Sequence, residues 1–238
     1  GHSVGEYTAA VAAGILSLED GIRLIAERGR LMGEVRENGA MYAVFAPADV
    51  LEPYVDRYGS RISIAALNGP SNTVLSGDEA VLEGIIKELS GRKINSQKLA
   101  VSNAFHSPLM QQAAERFSDI ARGVRYSLPR VPIVSNVNAQ LIKESTLNAD
   151  YLAQHMMKPV RFMESVQLLE KLGYSHFIEV SGRQILLNMS RKFLAKPEEN
   201  LLTASLDPSK NDMDVMAETL GKLYLEGVNI NWDGYYAS

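Results

Sequence analysis

The chain has 238 residues, 46% hydrophobic and 22% charged, with a formal net charge of −4 and no cysteine. That length carries a sizeable core in one domain, or in one domain with an insert. Without cysteine there are no disulfides, thiolate metal sites or cysteine nucleophiles. The acidic balance offers no basic stripe for nucleic acid, and no apolar run approaches the roughly 18 residues of a membrane span. The first residues do not read as a signal peptide, and the lack of cysteine fits a cytoplasmic setting.

The chain opens on "GHSVGEYTAAVAAG". Residues 7–13 predict a helix with Gly14 at its end. Ser17 then caps a second helix, with acids in the first turn where the helix dipole favours them. Its apolar stripe comprises Leu18, Ile22, Leu24, Ile25, Leu31 and Met32, and one charged residue, Arg28, falls on it. From residue 40 the period changes: strand "MYAVFA", helix "ADVLEPYVDRY", strand "RISIAAL", turn "NGPSN", strand "TVLSG", helix "DEAVLEGIIKELS", strand "KINSQKLA". This is the βαββαβ order of a ferredoxin-like unit. Next, "SNAFHSPLM" starts a helix with Ser107 as N-cap and Pro108 at its first position. "VPIVSNV" reads as a short strand, followed by helices around 147–157 and 162–172. "HFIEVSG" is a strand with Gly182 opening a helix, and "NLLTASL" is another strand. The tail is an amphipathic helix and an extended aromatic segment. Strands alternating with helices predict a mostly parallel α/β sheet.

Ser3 lies between glycines at i−2 and i+2. On a tight strand-to-helix turn such a serine is pushed out as a nucleophile, and the next amide, of Val4, faces a developing oxyanion. Ser3 as a plain helix N-cap fits the same letters. A nucleophile needs a base, and the histidines are His2, His106, His155 and His176. His2 would point away across the turn and His176 begins an apolar strand. His106 lies in a loop, where functional groups concentrate. A guanidinium on an apolar face needs an anion, so Arg28 is either an internal salt bridge or a clamp on a substrate carboxylate.

Taken together, "GHSVGEYTAAVAAGILSLEDGIRLIAERGRLM", "AALNGPSNTVLSGDEA", "VSNAFHSPLM", "VPIVSNV", "HMMKPVRFMESVQLLEKLG" and "LYLEGVNINW" resemble the malonyl-CoA:acyl-carrier-protein transacylase superfamily. The resemblance is strongest to acyltransferase domains of modular polyketide synthases. It implies a hydrolase-like large part over residues 1–38 and 101–205, a ferredoxin-like small part over 39–100, and a helix with a post-acyltransferase linker over 206–238. The strand and glutamine that precede the nucleophile in the family are expected to lie outside this chain. "VSGR" at 180–183 departs from the family's "VGPG" turn.

The resemblance also implies roles. Ser3 matches the nucleophile, His106 the general base, Val4 the oxyanion amide and Arg28 the carboxylate clamp. His155 matches a residue that orients the base through a backbone carbonyl. "NAFH" at 103–106 is similar to the "HAFH" associated with malonyl rather than the "YASH" associated with methylmalonyl, so Asn103, Phe105 and Val4 are the selectivity positions. No permanent cofactor or metal is implied. Malonyl-CoA is the expected donor, the phosphopantetheine thiol of an acyl carrier protein the acceptor, and neighbouring synthase domains the partners, in polyketide or fatty acid synthesis. The rivals are a serine esterase or thioesterase, which needs its histidine late in the chain after an acid, and an inactive scaffold.

Overall fold

The computed structural model describes residues 1–143 and 146–237. The chain divides into two compact units, Gly1–Leu168 and Leu169–Ser238.

The first unit starts with α1 (Gly5–Ala12) and α2 (Leu18–Gly33). Past the end of α1, Gly14 takes φ 77°, which costs a glycine little. Ser17 caps α2 through a hydrogen bond from the Asp20 N–H to its Oγ. The buried face of α2 is Gly21, Leu24, Arg28, Leu31 and Met32. Leu18 and Ile22, expected on that stripe, are instead 61% and 60% exposed. The cause is a close approach of α1: a Cβ on Gly21 would lie 2.4 Å from Val11 Cγ2. The contact line runs through Gly21 and turns both neighbours outward.

Next come β1 (Gly39–Val44), α3 (Ala48–Tyr58), β2 (Ile62–Gly69), β3 (Asn72–Asp78), α4 (Glu79–Gly91) and β4 (Ser96–Lys98). The sheet order is β2-β3-β1-β4, with every neighbouring pair antiparallel. Alternate residues Ala40, Tyr42 and Val44 of β1 meet Leu51 and Tyr54 of α3 and Leu82, Ile85 and Leu89 of α4 in one core. β4 is shorter than "KINSQKLA" suggests, because β1 pairs with it only over Tyr42–Val44. The outer edge of β2 is covered. Leu67 N–H donates to the Val160 carbonyl and Val160 N–H to the Ala65 carbonyl, both at 2.9 Å.

A 3-10 turn at Pro108–Met110, capped by Ser107, leads into α5 (Gln111–Ala121). α6 (Ala149–His155) and the start of α7 (Phe162–Lys171) complete the unit. Tyr7, Leu24, Leu31, Met110, Phe117, Leu152 and Met156 form its second core, each such side chain contributing about 1.5–3 kcal/mol by burial. "VPIVSNV" is not a strand; it makes a single bridge, Val134 to Leu141. Its backbone bonds go elsewhere: Ser135 N–H donates to the Gln140 carbonyl, and Asn136 N–H to the Glu6 carboxylate.

The second unit holds a parallel pair, β5 (His176–Glu179) and β6 (Leu201–Ala204), with α8 (Leu186–Ser190), α9 (Asp212–Leu225) and α10 (Trp232–Tyr236). Among the described residues this is the only parallel pairing of named strands, so the expected mostly parallel sheet is seen only here. Gly182 does not open α8. The helix starts at Leu186, where the buried Glu179 carboxylate accepts from the N–H groups of Ile185, Leu186 and Leu187. That cap answers the "VSGR" departure, since a carboxylate supplies what a glycine-rich turn does not. The tail ends in α10 rather than an extended segment, because Asn231 caps it through Gly234 N–H. No described helix is long and apolar enough to cross a membrane.

Candidate active site

Ser3 does not cap α1. The N-cap position is Val4, which makes no side-chain cap. Ser3 instead holds φ 50°, and its Oγ lies 2.7 Å from His106 Nε2. His106 also holds a positive φ, 57°. Left-handed backbone at a non-glycine residue is strained and persists only where its surroundings hold it. Among the described residues the Val4 N–H has no hydrogen-bond acceptor, and Val4 itself is 46% exposed.

Backbone groups set the state of His106. Its Nδ1 is 2.9 Å from the Lys158 carbonyl, which can only accept, so Nδ1 carries the proton and Nε2 faces Ser3 with its lone pair. The His106 N–H donates to the Met156 carbonyl, and Ser63 Oγ of β2 donates to the His106 carbonyl at 2.8 Å. Burial, then His155 and the Arg28 charge, lower the His106 pKa to about 3, so the ring is neutral near pH 7.

His155 does not supply the orienting carbonyl. α6 ends at His155, and the following turn brings Lys158 to His106 instead. The His155 ring meets His106 edge-on, with centroids 5.7 Å apart, and its Nε2 is 3.3 Å from Glu6 Oε2. Burial alone would raise the Glu6 carboxyl pKa. His155, Tyr151 and the Asn136 N–H outweigh it and hold the group below the ordinary carboxylate value.

Arg28 is 8% exposed. Its Nη2 lies 3.4 Å from Ser3 Oγ and its guanidinium is 5.8 Å from the Tyr7 ring centroid. No acid of the described residues is within ion-pair distance, and both its Nε and the Tyr7 hydroxyl are buried without a hydrogen bond of good geometry. A buried donor left unpaired is costly, and the same guanidinium reaches Ser3 through Nη2. Burial lowers the pKa of the guanidinium, with Tyr7 opposing.

The remaining residues fall around this centre. Asn103 is buried and bonds the Val35 carbonyl through Nδ2. Phe105 is half-buried against the core that holds Tyr7 and Met110. His2 turns away from Ser3, with Nε2 at 2.8 Å from Asn68 Oδ1. The residue pattern alone missed Asn136, whose side chain bonds both Ser3 N–H and the Gly1 carbonyl. It also missed Glu6, Ser63 and Lys158. A polar pair inside the apolar "VPIVSNV" was the available signal for Asn136; the Lys158 carbonyl leaves none.

Residues 1–229 match the family model described as "Acyl transferase domain". The chain belongs to this family. A phenolphthiocerol synthesis type I polyketide synthase of Mycobacterium marinum is 36% identical over 239 residues, covering 100% of this chain and 11% of that protein. The crystal structure of the acyltransferase domain from the second module of the salinomycin polyketide synthase superposes with a TM-score of 0.94 at 36% identity, covering 99% of this chain and 55% of that one. A malonyl CoA-acyl carrier protein transacylase from Clostridium perfringens gives 0.87 at 25% identity, covering 95% and 71%. The acyltransferase domain thus has the α/β architecture of these neighbours, and it spans about half of the salinomycin domain and about a tenth of the mycobacterial protein.

Proposed function

We propose that this domain moves a malonyl unit from coenzyme A, through an ester on Ser3, to the phosphopantetheine thiol of an acyl carrier protein during polyketide or fatty acid synthesis. The observation that carries the proposal is the convergence on Ser3 Oγ of His106 Nε2 at 2.7 Å and Arg28 Nη2 at 3.4 Å. His106 takes the hydroxyl proton as Oγ attacks the thioester carbonyl, and the oxyanion lies toward the free Val4 N–H. The tetrahedral intermediate collapses, coenzyme A leaves as its thiol by taking that proton from His106, and the ring is neutral again. The carrier thiol then attacks the ester while His106 accepts its proton, and the collapsing intermediate regains the proton on Ser3 Oγ. A thiolate leaves easily, so a carbonyl behind the histidine suffices where amide cleavage uses an acid. Arg28, with a buried Nε unpartnered, is the clamp for the free malonyl carboxylate.

Malonyl selectivity rests on Phe105, beside Asn103 and Val4, filling the space that an α-methyl would need. A hydrolase of neutral esters has no use for Arg28, and a decayed scaffold has no reason to keep the Ser3–His106 contact. The similarity of the four-stranded antiparallel sheet to a ferredoxin-like part, with a hydrolase-like part around it and a post-acyltransferase linker over 206–238, belongs to the same reading. So do a cytoplasmic setting, carrier-protein and synthase-domain partners, and the lack of a resident cofactor. The test is intact-protein mass spectrometry of the full chain with malonyl-CoA: a malonyl adduct that is absent in Ser3→Ala and discharged by a carrier-protein thiol. Hydrolysis without transfer refutes the transferase reading.

A further inference from the structure

Asn136 grips the nucleophile turn on both sides. Its Oδ1 accepts from Ser3 N–H at 2.8 Å and its Nδ2 donates to the Gly1 carbonyl at 2.7 Å. The backbone dictates that orientation, because an N–H only donates and a carbonyl only accepts. A side-chain amide serves both from one plane, as neither a carboxylate nor an aliphatic group does. Asn136 is buried, and its own N–H is anchored at 2.9 Å by Glu6 Oε2.

Glu6 follows Ser3 by three residues and is also buried. Besides Asn136 it accepts from the Tyr151 hydroxyl, which bonds Ser135 Oγ as well, and it faces His155 Nε2 at 3.3 Å. The His155 ring in turn packs on His106. One carboxylate therefore touches the braces of both reactive residues. A buried charge adds little to stability over a well-packed apolar group, so holding geometry is the better account of it.

We infer that Asn136 and Glu6 are positioning residues: Asn136 holds Ser3 in its left-handed conformation with Oγ on His106, and Glu6 fixes Asn136 and His155 around that pair. The inference rests on Ser3 as the nucleophile.

The test uses the full chain and a fluorophosphonate that labels active serines without a carboxylate or coenzyme A, alongside malonyl-CoA acylation. Folding of each variant is checked by circular dichroism and melting. In folded Asn136→Ala, Ser3 labelling falls about tenfold or more, and acylation loses kcat with KM nearly unchanged. Glu6→Gln, which keeps an acceptor for Asn136 N–H, retains more labelling than Glu6→Ala. Should Asn136→Ala unfold, Asn136→Asp keeps the volume and the acceptor but cannot donate to Gly1, and its labelling falls as well. Labelling within twofold of wild type in the folded Asn136 variants, or a rise in KM alone, overturns the inference. Wild type that labels at Ser3 yet takes no malonyl refutes the transferase reading while leaving this one standing.

Discussion

Ser3 Oγ and His106 Nε2 stand 2.7 Å apart, and each belongs to a residue in left-handed backbone, at φ 50° and 57°. Two strained turns, 103 residues apart in the chain, are thus held face to face. Both strains have visible braces: Asn136 for Ser3, and Ser63 with the Met156 carbonyl for His106.

The His106 pairing carries a pH prediction. Burial lowers its pKa to about 3, against an ordinary value of 6.5. The acid limb of kcat/KM for acylation falls well below pH 6.5, and activity is flat from pH 8 to about 5.5. Folding stability moves with the same group. The unfolded chain takes up the proton near pH 6.5 and the folded chain only near 3, so the contribution is full above 6.5 and is lost as pH falls between the two values, by at most about 1.4 kcal/mol per unit. His2, also lowered by burial, adds in the same direction. Denaturant titrations at pH 7 and 5 in wild type and His106→Gln measure it; an unchanged slope in the variant counts against the assignment.

Arg28→Ala separates a clamp from a structural pair. No acid among the described residues is left orphaned by its removal, so melting changes little. Malonyl transfer falls by about tenfold to a hundredfold, the equivalent of a charge-assisted hydrogen bond of about 1.5–3 kcal/mol. Acetyl transfer, which needs no guanidinium, rises relative to malonyl. Equal loss of both, with a large drop in melting temperature, marks a structural role.

Phe105→Ala opens space next to His106. The ratio of methylmalonyl to malonyl acylation rises about tenfold or more, matching the roughly 1–3 kcal/mol that one methyl is worth in a shaped pocket. Phe105 is only half-buried, so the stability cost is below the roughly 3–5 kcal/mol of a fully buried Phe→Ala. Competition of the two thioesters, read by mass spectrometry, gives the ratio; an unchanged ratio reduces Phe105 to core packing.

Local patterns were legible in the sequence because they have local causes. The Ser17 cap, the period change at residue 40 and the exceptional Arg28 each follow from spacing along one element. "VPIVSNV" misled because an apolar run does not tell whether a neighbouring strand is there to pair with, and its polar Asn136 bonds across 133 residues to Ser3. The partner of His106 Nδ1 is a main-chain carbonyl, which no residue type advertises. Leu18 and Ile22 turned outward because one glycine on α2, Gly21, admits Val11 more closely than a side chain allows.

Gly1 tests the turn from its other end. A Cβ there would stand 2.0 Å from the Gly5 carbonyl oxygen and 2.6 Å from Glu6 N. Both are backbone atoms at the start of α1, so no rotamer change relieves the clash. Either the first turn of α1 shifts or the Gly1 carbonyl leaves Asn136 Nδ2, and each displaces Ser3 from His106. Gly1→Ala therefore lowers Ser3 acylation by about a hundredfold while most of the core, built from residues far from the turn, still folds. Stopped-flow acylation beside a melting curve checks it: a low rate with a melting temperature within a few degrees of wild type is the expected result, and a wild-type rate means the turn tolerates a side chain that its geometry excludes.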